Sequence, residues 1–364
     1  MCFLMSNSKK NKITKKNKYL SAGIKVLIVT VIFTCGLIAY RFYSKIYSPN
    51  VYLTGKQSDY FYIPSGSDLN QVIALALHKG FIVDIESFIW VSKKKNYKNH
   101  VHPGKYKVTS GMSNNELVNH LRSGEQEPVR VVFNYLRTKE QLASKISHQI
   151  EADSLSLIKL LNSDSIAVNY GFDQPSFLSM FIPNTYEFYW NTSADEFLKR
   201  MEKEYKRFWN NSRTAKAEEI GLTPLQVGIL ASIIEEETVK NDEKTNIAGV
   251  YLNRLKQGKK LEADPTVKFA WGDYFLRRIL KKHLKINSPY NTYRIKGLPP
   301  GPISIPSIPS IDAVLNYEHH DYLYFCARDD FSGYHAFAKT MKQHQINARK
   351  YQAALNKKNI FGNS

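Results

Sequence analysis

Uncharged, mostly apolar residues run from Val26 to Tyr40, a pattern unlike the spaced apolar positions that follow it. Extended back to Leu20, with Lys25 snorkelling to the surface, the run makes about 21 residues, roughly 31 Å of helix and enough to span a bilayer. Further along, apolar residues recur at the periods of strand and helix. Residues 42–56 read as a stalk. Tyr60–Ile63 is a β-rich run ending at the turn Pro64–Ser67, and Asp68 caps a helix through Val72, Ile73, Leu75, Ala76 and Leu77 that stops at Gly80. A second helix at Ile85–Trp90 gives way to a lysine-rich loop, Lys93–Lys98. Pro103–Val108 is a turn and short strand, and Ser113 with Glu116 opens a helix closed by Gly124. Strand, helix, helix, strand, helix makes 57–127 a small α+β module.

Pro128 marks a boundary, and 128–356 forms a second α+β domain. Val129–Phe133 reads as a strand, Thr138–Ile150 as a helix, and Phe181–Tyr189 as a packed loop and strand. Ser193 with Glu196 opens an amphipathic helix through Leu198, Met201, Tyr205 and Trp209. Leu261–Val267, Ser288–Tyr293 and Gly297–Ile303 combine Pro, Gly, Asn and Tyr and read as loops with fixed backbones. Tyr322–Cys326 predicts a buried strand, Gly333–Phe337 another, and Met341 to about Leu355 a closing helix.

The stretch of greatest chemical interest starts at Leu222. Thr223 suits an N-cap, Pro224 the first helical position and Gln226 the capping-box partner. Leu230, Ile233, Ile234 and Glu237 then share one helical face, while Glu235 points about 160° and Glu236 about 100° away from Glu237. A carboxyl held against apolar side chains has its charged form disfavoured, as a general acid at neutral pH requires. The competing reading is a helix that frays after Ile234 and leaves three solvated glutamates.

Charge and cysteine usage narrow the setting. The 364 residues carry a net charge of +19, and seven lysines with no acid lie in residues 1–25. That excess ahead of the apolar run predicts a cytoplasmic basic tail (1–20), an anchor (21–41) and everything later outside the cytoplasm. A cleaved signal peptide competes, but Ala39–Phe42 offers no small-x-small cleavage site. The extracytoplasmic location removes nucleic acid from the expected partners. Of Cys2, Cys35 and Cys326, one alone lies in the outer part, so no intramolecular disulfide forms there. The histidines form no metal-ligand spacing, and no metal or cofactor is expected.

Ala231–Thr238, Val250–Leu255, Leu261–Val267, Ser288–Tyr293 and Gly297–Ile303, with weaker support from Pro183–Glu187 and Tyr334–Phe337, together resemble the endolytic murein transglycosylases (the MltG or YceG-like family). Gly104–Lys105–Tyr106 looks like that family's LysM-like module. The resemblance implies a lytic transglycosylase of the inner membrane. It would cut the β-1,4 bond from N-acetylmuramic acid to N-acetylglucosamine within nascent glycan strands, leave 1,6-anhydro ends, and terminate elongation beside peptidoglycan synthases. The family's catalytic glutamate, the one before Thr, falls on Glu237.

A glycosidase normally needs two carboxyl groups. In a lytic transglycosylase the sugar's own 6-hydroxyl is the nucleophile, and proximity replaces the second carboxylate. Among the substrate-binding candidates, Asn291 and Tyr290 would orient N-acetyl groups or the developing oxocarbenium. Asp264 and Thr266 would shape the cleft floor, with a turn or cap role as the alternative for Asp264. Tyr290, Tyr293 and Tyr186 have core packing as their alternative. Glu235 reads as solvated or structural, or as a hydrogen-bonding support for Glu237. The basic segment Phe275–Ile286 departs from the family pattern; it reads as a solvated helix face or as a surface that meets the carboxylates of peptide stems. A non-enzymatic, membrane-tethered wall-binding scaffold is the rival function.

Overall fold

The computed structural model describes residues 4–276 and 279–358, apart from the side chains of 4–19 and 21. It divides into two compact units, the boundary falling between Pro128 and Val129. Cys2 and the expected basic pair Arg277 and Arg278 lie outside the described residues.

The first unit begins with helix α1 (Leu4–Tyr47), of which Ala22–Tyr47 is long and apolar enough to cross a membrane. Strand β1 (Ser58–Ile63) pairs antiparallel with β2 (Gly104–Thr109), in the register Ser58↔Thr109 to Ile63↔Gly104. Phe61, Ile63, Tyr106 and Val108 alternate into a core completed by α2 (Leu69–Lys79), α3 (Ile85–Lys94) and α4 (Asn114–Ser123). The expected capping boxes form at Asp68–Gln71 and Ser113–Glu116. Two features differ from the expectation. Helix α3 takes in Lys93 and Lys94, and Tyr97 behind it is buried, so the lysine run is anchored by one aromatic ring. Residues 42–56 are no free stalk. Helix α1 continues to Tyr47, Phe42 packs on Trp90, and buried Asn50 donates to Asp84 O (2.8 Å) and Asn114 Oδ1 (2.7 Å) while accepting from Asp84 N (2.7 Å).

The second unit opens with β3 (Val129–Phe133), whose antiparallel partner β4 (Asn184–Phe188) arrives after α5 (Lys139–Ser147), α6 (Ser154–Leu161) and α7 (Asp164–Asn169). These elements and α8 (Ala194–Phe208) enclose one aromatic-rich core containing Phe133, Phe177, Phe181 and Phe197. A second core surrounds α10 (Pro224–Glu237), which follows α9 (Asn211–Glu219). Its walls are α11 (Lys244–Lys256), α12 (Asp264–Trp271) and α13 (Ile308–Leu315). The hairpin β5 (Tyr324–Ala327) and β6 (His335–Ala338) and the closing α14 (Met341–Lys357) complete the unit.

Three sequence expectations change here. The loop expected at Leu261–Val267 holds the first turn of α12, because Pro265 fits a helical first turn even without a side-chain cap. Strand β5 is half-buried rather than buried, as a two-stranded ribbon covered on one side by α11 and α14 must be. The basic segment forms no long helix among its described residues; it has a single 3-10 turn at His283–Lys285.

Candidate active site

Helix α10 starts as its sequence dictates: Thr223 accepts from Gln226 N, Gln226 returns the bond to the Thr223 N–H, and Pro224 occupies the first turn. It is not amphipathic in place. Every residue from Val227 to Ile234 is buried, so the helix is enclosed on all sides and no single stripe selects a glutamate. The helix does not fray at Ile234. It runs through all three glutamates and stops at Thr238, which turns extended (φ −148°, ψ 141°). Three carboxyl groups thus sit at the negative end of the helix dipole, where no basic residue of the same helix offsets them. Each is partly buried, and each meets a different environment.

Glu235 accepts from Ser307 Oγ and Ser310 Oγ, both at 2.5 Å, from Ser307 N at 3.2 Å, and from the buried Lys244 ammonium at 3.2 Å. Burial pushes its carboxyl up, but the two serines and Lys244 outweigh that and hold it below the ordinary range. It makes no bond to Glu237, so its place is structural: it ties α10 to α11 and α13. Glu236 receives a two-pronged ion pair from Arg137 (Nη2 2.9 Å, Nε 3.1 Å) and a hydrogen bond from the Tyr135 hydroxyl. It is therefore not solvated either.

Glu237 has no cation paired with it among the described residues. Its Oε1 accepts from the Tyr251 hydroxyl at 2.5 Å. Burial raises its carboxyl to about 7; the Tyr251 bond and the Lys268 charge oppose the rise, and the charges of Asp264 and Glu236 add to it. Tyr251 is itself buried and packs edge-on against Phe325 (5.8 Å), and burial followed by the Glu237 charge lifts its phenol well above its ordinary value. Near neutral pH the carboxyl can therefore hold or release a proton beside a phenol that stays neutral.

Glu237 opens into a cavity of about 360 Å³, also lined by Tyr251, Arg254, Leu261, Glu262, Asp264, Tyr293, Tyr324, Phe325, Met341 and His344. The Tyr293 hydroxyl donates to Asp264 Oδ1 at 2.7 Å, so two of the expected residues form one unit beside Glu237. The others do not reach this cavity. Thr266 is fully buried and bonds Ala263 O (2.7 Å) and Thr292 Oγ1 (2.8 Å). Asn291 is fully buried too; its amide donates to Leu284 O (3.0 Å) and Ile286 O (2.9 Å) while its oxygen accepts from Tyr293 N (3.1 Å). Asn291 thereby sets the loop that presents Tyr293. Tyr290 packs on Phe269 (4.6 Å), and Tyr186, in the other core, donates to Ile182 O (2.6 Å).

Sequence reasoning gave no role to several lining residues. Buried Arg254 donates to Lys260 O (2.8 Å) and Leu323 O (2.9 Å) and pairs with Glu262, whose backbone sits in the left-handed region (φ 54°). Such a conformation in a non-glycine residue is costly and clusters at functional sites, but no sequence pattern announced it. Met341 and His344 come from α14, about a hundred residues beyond Glu237, and carry no local signal. Buried His344 Nδ1 has no hydrogen-bond partner among the described residues, and burial followed by the Arg254 charge lowers its basicity.

The fold and this site place the chain among helix-rich α+β proteins with one acid of near-neutral pKa in a polar cleft. The chain belongs to the YceG-like family, whose sequence model matches residues 61–350. It is 28% identical over 313 residues to the endolytic murein transglycosylase of Bacillus subtilis, covering 81% of this chain and 85% of that protein. It is 26% identical over 324 residues to the enzyme of the same name from Streptococcus pneumoniae, covering 79% of this chain and 57% of that longer protein. A crystal structure of a yceG-like protein from Listeria monocytogenes superposes with a TM-score of 0.54 at 27% identity, over 80% of this chain and 99% of that one.

Proposed function

We propose that the protein is a membrane-anchored lytic transglycosylase that cuts within peptidoglycan glycan strands, with Glu237 as the acid and base. The observation that carries the reading is Glu237 itself: a carboxyl of pKa about 7, held by a neutral phenol and open to a cleft, on a chain of this family. The Glu237 proton goes to the oxygen linking C1 of N-acetylmuramic acid to N-acetylglucosamine, and that C1–O bond breaks. The muramic 6-hydroxyl oxygen bonds to C1, its proton goes to the Glu237 carboxylate, and the acid is restored. No water is consumed and a 1,6-anhydro end forms. An acid poised near 7 suits both steps. Asp264, oriented by Tyr293, supplies negative charge against the developing oxocarbenium.

The rest of the reading follows from the anchor. The apolar part of α1, with the lysines of its first half inside, would place both units outside the cytoplasm, where newly made strands emerge. Cutting there terminates elongation and requires proximity to peptidoglycan synthases, and the 57–127 module serves as a LysM-like contact with the wall.

The test is digestion of glycan strands by the full-length protein in detergent, with mass spectrometry of the new ends. Anhydro ends from wild type and none from Glu237→Gln are expected. Reducing muramic ends would replace this reading with a water-using muramidase, in which Asp264 is the second carboxylate. No released product from wild type, with Glu237→Gln still rescuing a deletion strain, would make the protein a wall-binding scaffold.

A further inference from the structure

A second, smaller hollow of about 50 Å³ is lined by Arg137, Glu236, Pro265, Lys268, Phe269, Tyr274 and Ile303. Helices α10 and α12 line both it and the Glu237 cavity, with different residues. Helix α10 sends Glu237 to one and Glu236 to the other, and α12 sends Asp264 to one and, a turn later, Lys268 to the other. The hollow has room for about two waters, or one carboxylate, and none for a sugar ring.

Its charge is unbalanced. Arg137 is clamped between the Tyr135 ring (4.7 Å) and the Tyr274 ring (5.0 Å), and its two-pronged bond cancels Glu236. Half-buried Lys268 has no ion pair or side-chain hydrogen bond among the described residues, although its ammonium is close enough to influence Glu237. Arg137 Nη1 likewise makes no hydrogen bond among them, since Nε and Nη2 take Glu236. A partly desolvated ammonium and a spare guanidinium donor in a carboxylate-sized hollow are a receptor lacking its anion.

We propose that Lys268, with Arg137 Nη1, forms a subsite for a carboxylate carried by the muramoyl residue beside the scissile bond. The ligand class rests on the transglycosylase reading above. Two sources share this chemistry, the free lactyl carboxylate of a denuded muramic acid and a carboxylate of the stem peptide. The subsite moves acid recognition from the basic segment, where the sequence suggested it, to the wall of the cleft.

The test is binding, not turnover, on full-length Glu237→Gln protein in detergent micelles. N-acetylmuramic acid, N-acetylmuramoyl-L-alanyl-D-glutamate and the fully amidated form of each are titrated by calorimetry or ligand-observed NMR. At least one acid should bind about tenfold or more tighter than its amide, as expected for a charge-assisted contact; which acid does so identifies the source. Lys268→Met should abolish that preference and Lys268→Arg should keep it. Equal binding of acids and amides, or a preference that survives Lys268→Met, overturns the subsite. The acid–amide comparison uses native Lys268, so a variant that fails to fold does not shield the idea. A wild type that cuts no strand would sink the transglycosylase reading and leave this binding preference standing.

Discussion

At the end of α10, Glu235 faces an ammonium and two serine hydroxyls, while two residues on Glu237 faces one phenol and a cavity. Both lose water on folding, and desolvation alone pushes both carboxyl groups up. Glu235 gets enough donors back to stay ionised below its ordinary pKa, whereas Glu237 gets one neutral donor and rises to about 7. Pairs of carboxyl groups whose surroundings drive them apart mark acid–base assignments. The lesson is that partner count, not burial, separates the carboxylate tied into the fold from the one proposed as the acid. Glu236, neutralised by Arg137, belongs with the structural kind.

The sharpest way to break the comparison is to exchange the roles. Glu237→Gln should lower the release of anhydro ends by about a thousandfold, in the range of a lost general acid, with strand binding retained. If Glu235→Gln is equally inactive while fully folded, the two carboxyl groups are not divided as described. Next in size, Glu235→Gln strands the buried Lys244 ammonium and should cost about 3 kcal/mol of stability, read from urea unfolding midpoints. A Glu235→Gln protein as stable as wild type would remove the ion pair from the account.

A comparable effect with the opposite sign belongs to Glu237. Its folded pKa of about 7 lies above the ordinary glutamate value of 4.5. The folded state therefore holds the proton more tightly, and its stability falls as pH rises from about 4.5 to about 7. Glu237→Gln should then be more stable than wild type by up to about 3 kcal/mol at pH 8, with the gap closing near pH 4. Parallel pH–stability curves for the two proteins would show that Glu237 is not held neutral. The smallest effect sharpens the Tyr251 contact. Tyr251→Phe removes a bond that favours the Glu237 anion, worth about 1 kcal/mol, and should move the pH limb of kcat upward by roughly half to one unit. An unmoved limb with unchanged stability would mean the phenol does not hold the reacting carboxyl.

Local signals were well read where they are local. The capping boxes at Asp68, Ser113, Ser193 and Thr223 each start a helix, because a cap needs only residues within one turn. Helical periodicity pointed at Glu237 by way of an apolar stripe, yet α10 is buried all round, so the stripe was not the physical reason. The same periodicity named no partner for Glu235 or Glu236: it missed Lys244, nine residues on from Glu235, and Arg137, Ser307 and Ser310, which lie far away in the chain. Motif membership brought Asn291 and Thr266 to notice but not their depth. Both turned out to hold the loops that carry Tyr293 and Asp264.

From the sequence alone followed the apolar N-terminal run, the six strands, the capped starts of α2, α4, α8 and α10, and three consecutive acids before Thr238. Each is set by neighbours within a few residues, through backbone sterics, capping and side-chain period. What only the tertiary structure decided is which acid keeps its proton. That depends on desolvation and on charges a few ångströms away, and those come from α11, α12, α13 and a loop brought together by folding. Three identical glutamates in a row are equivalent until those elements close around them.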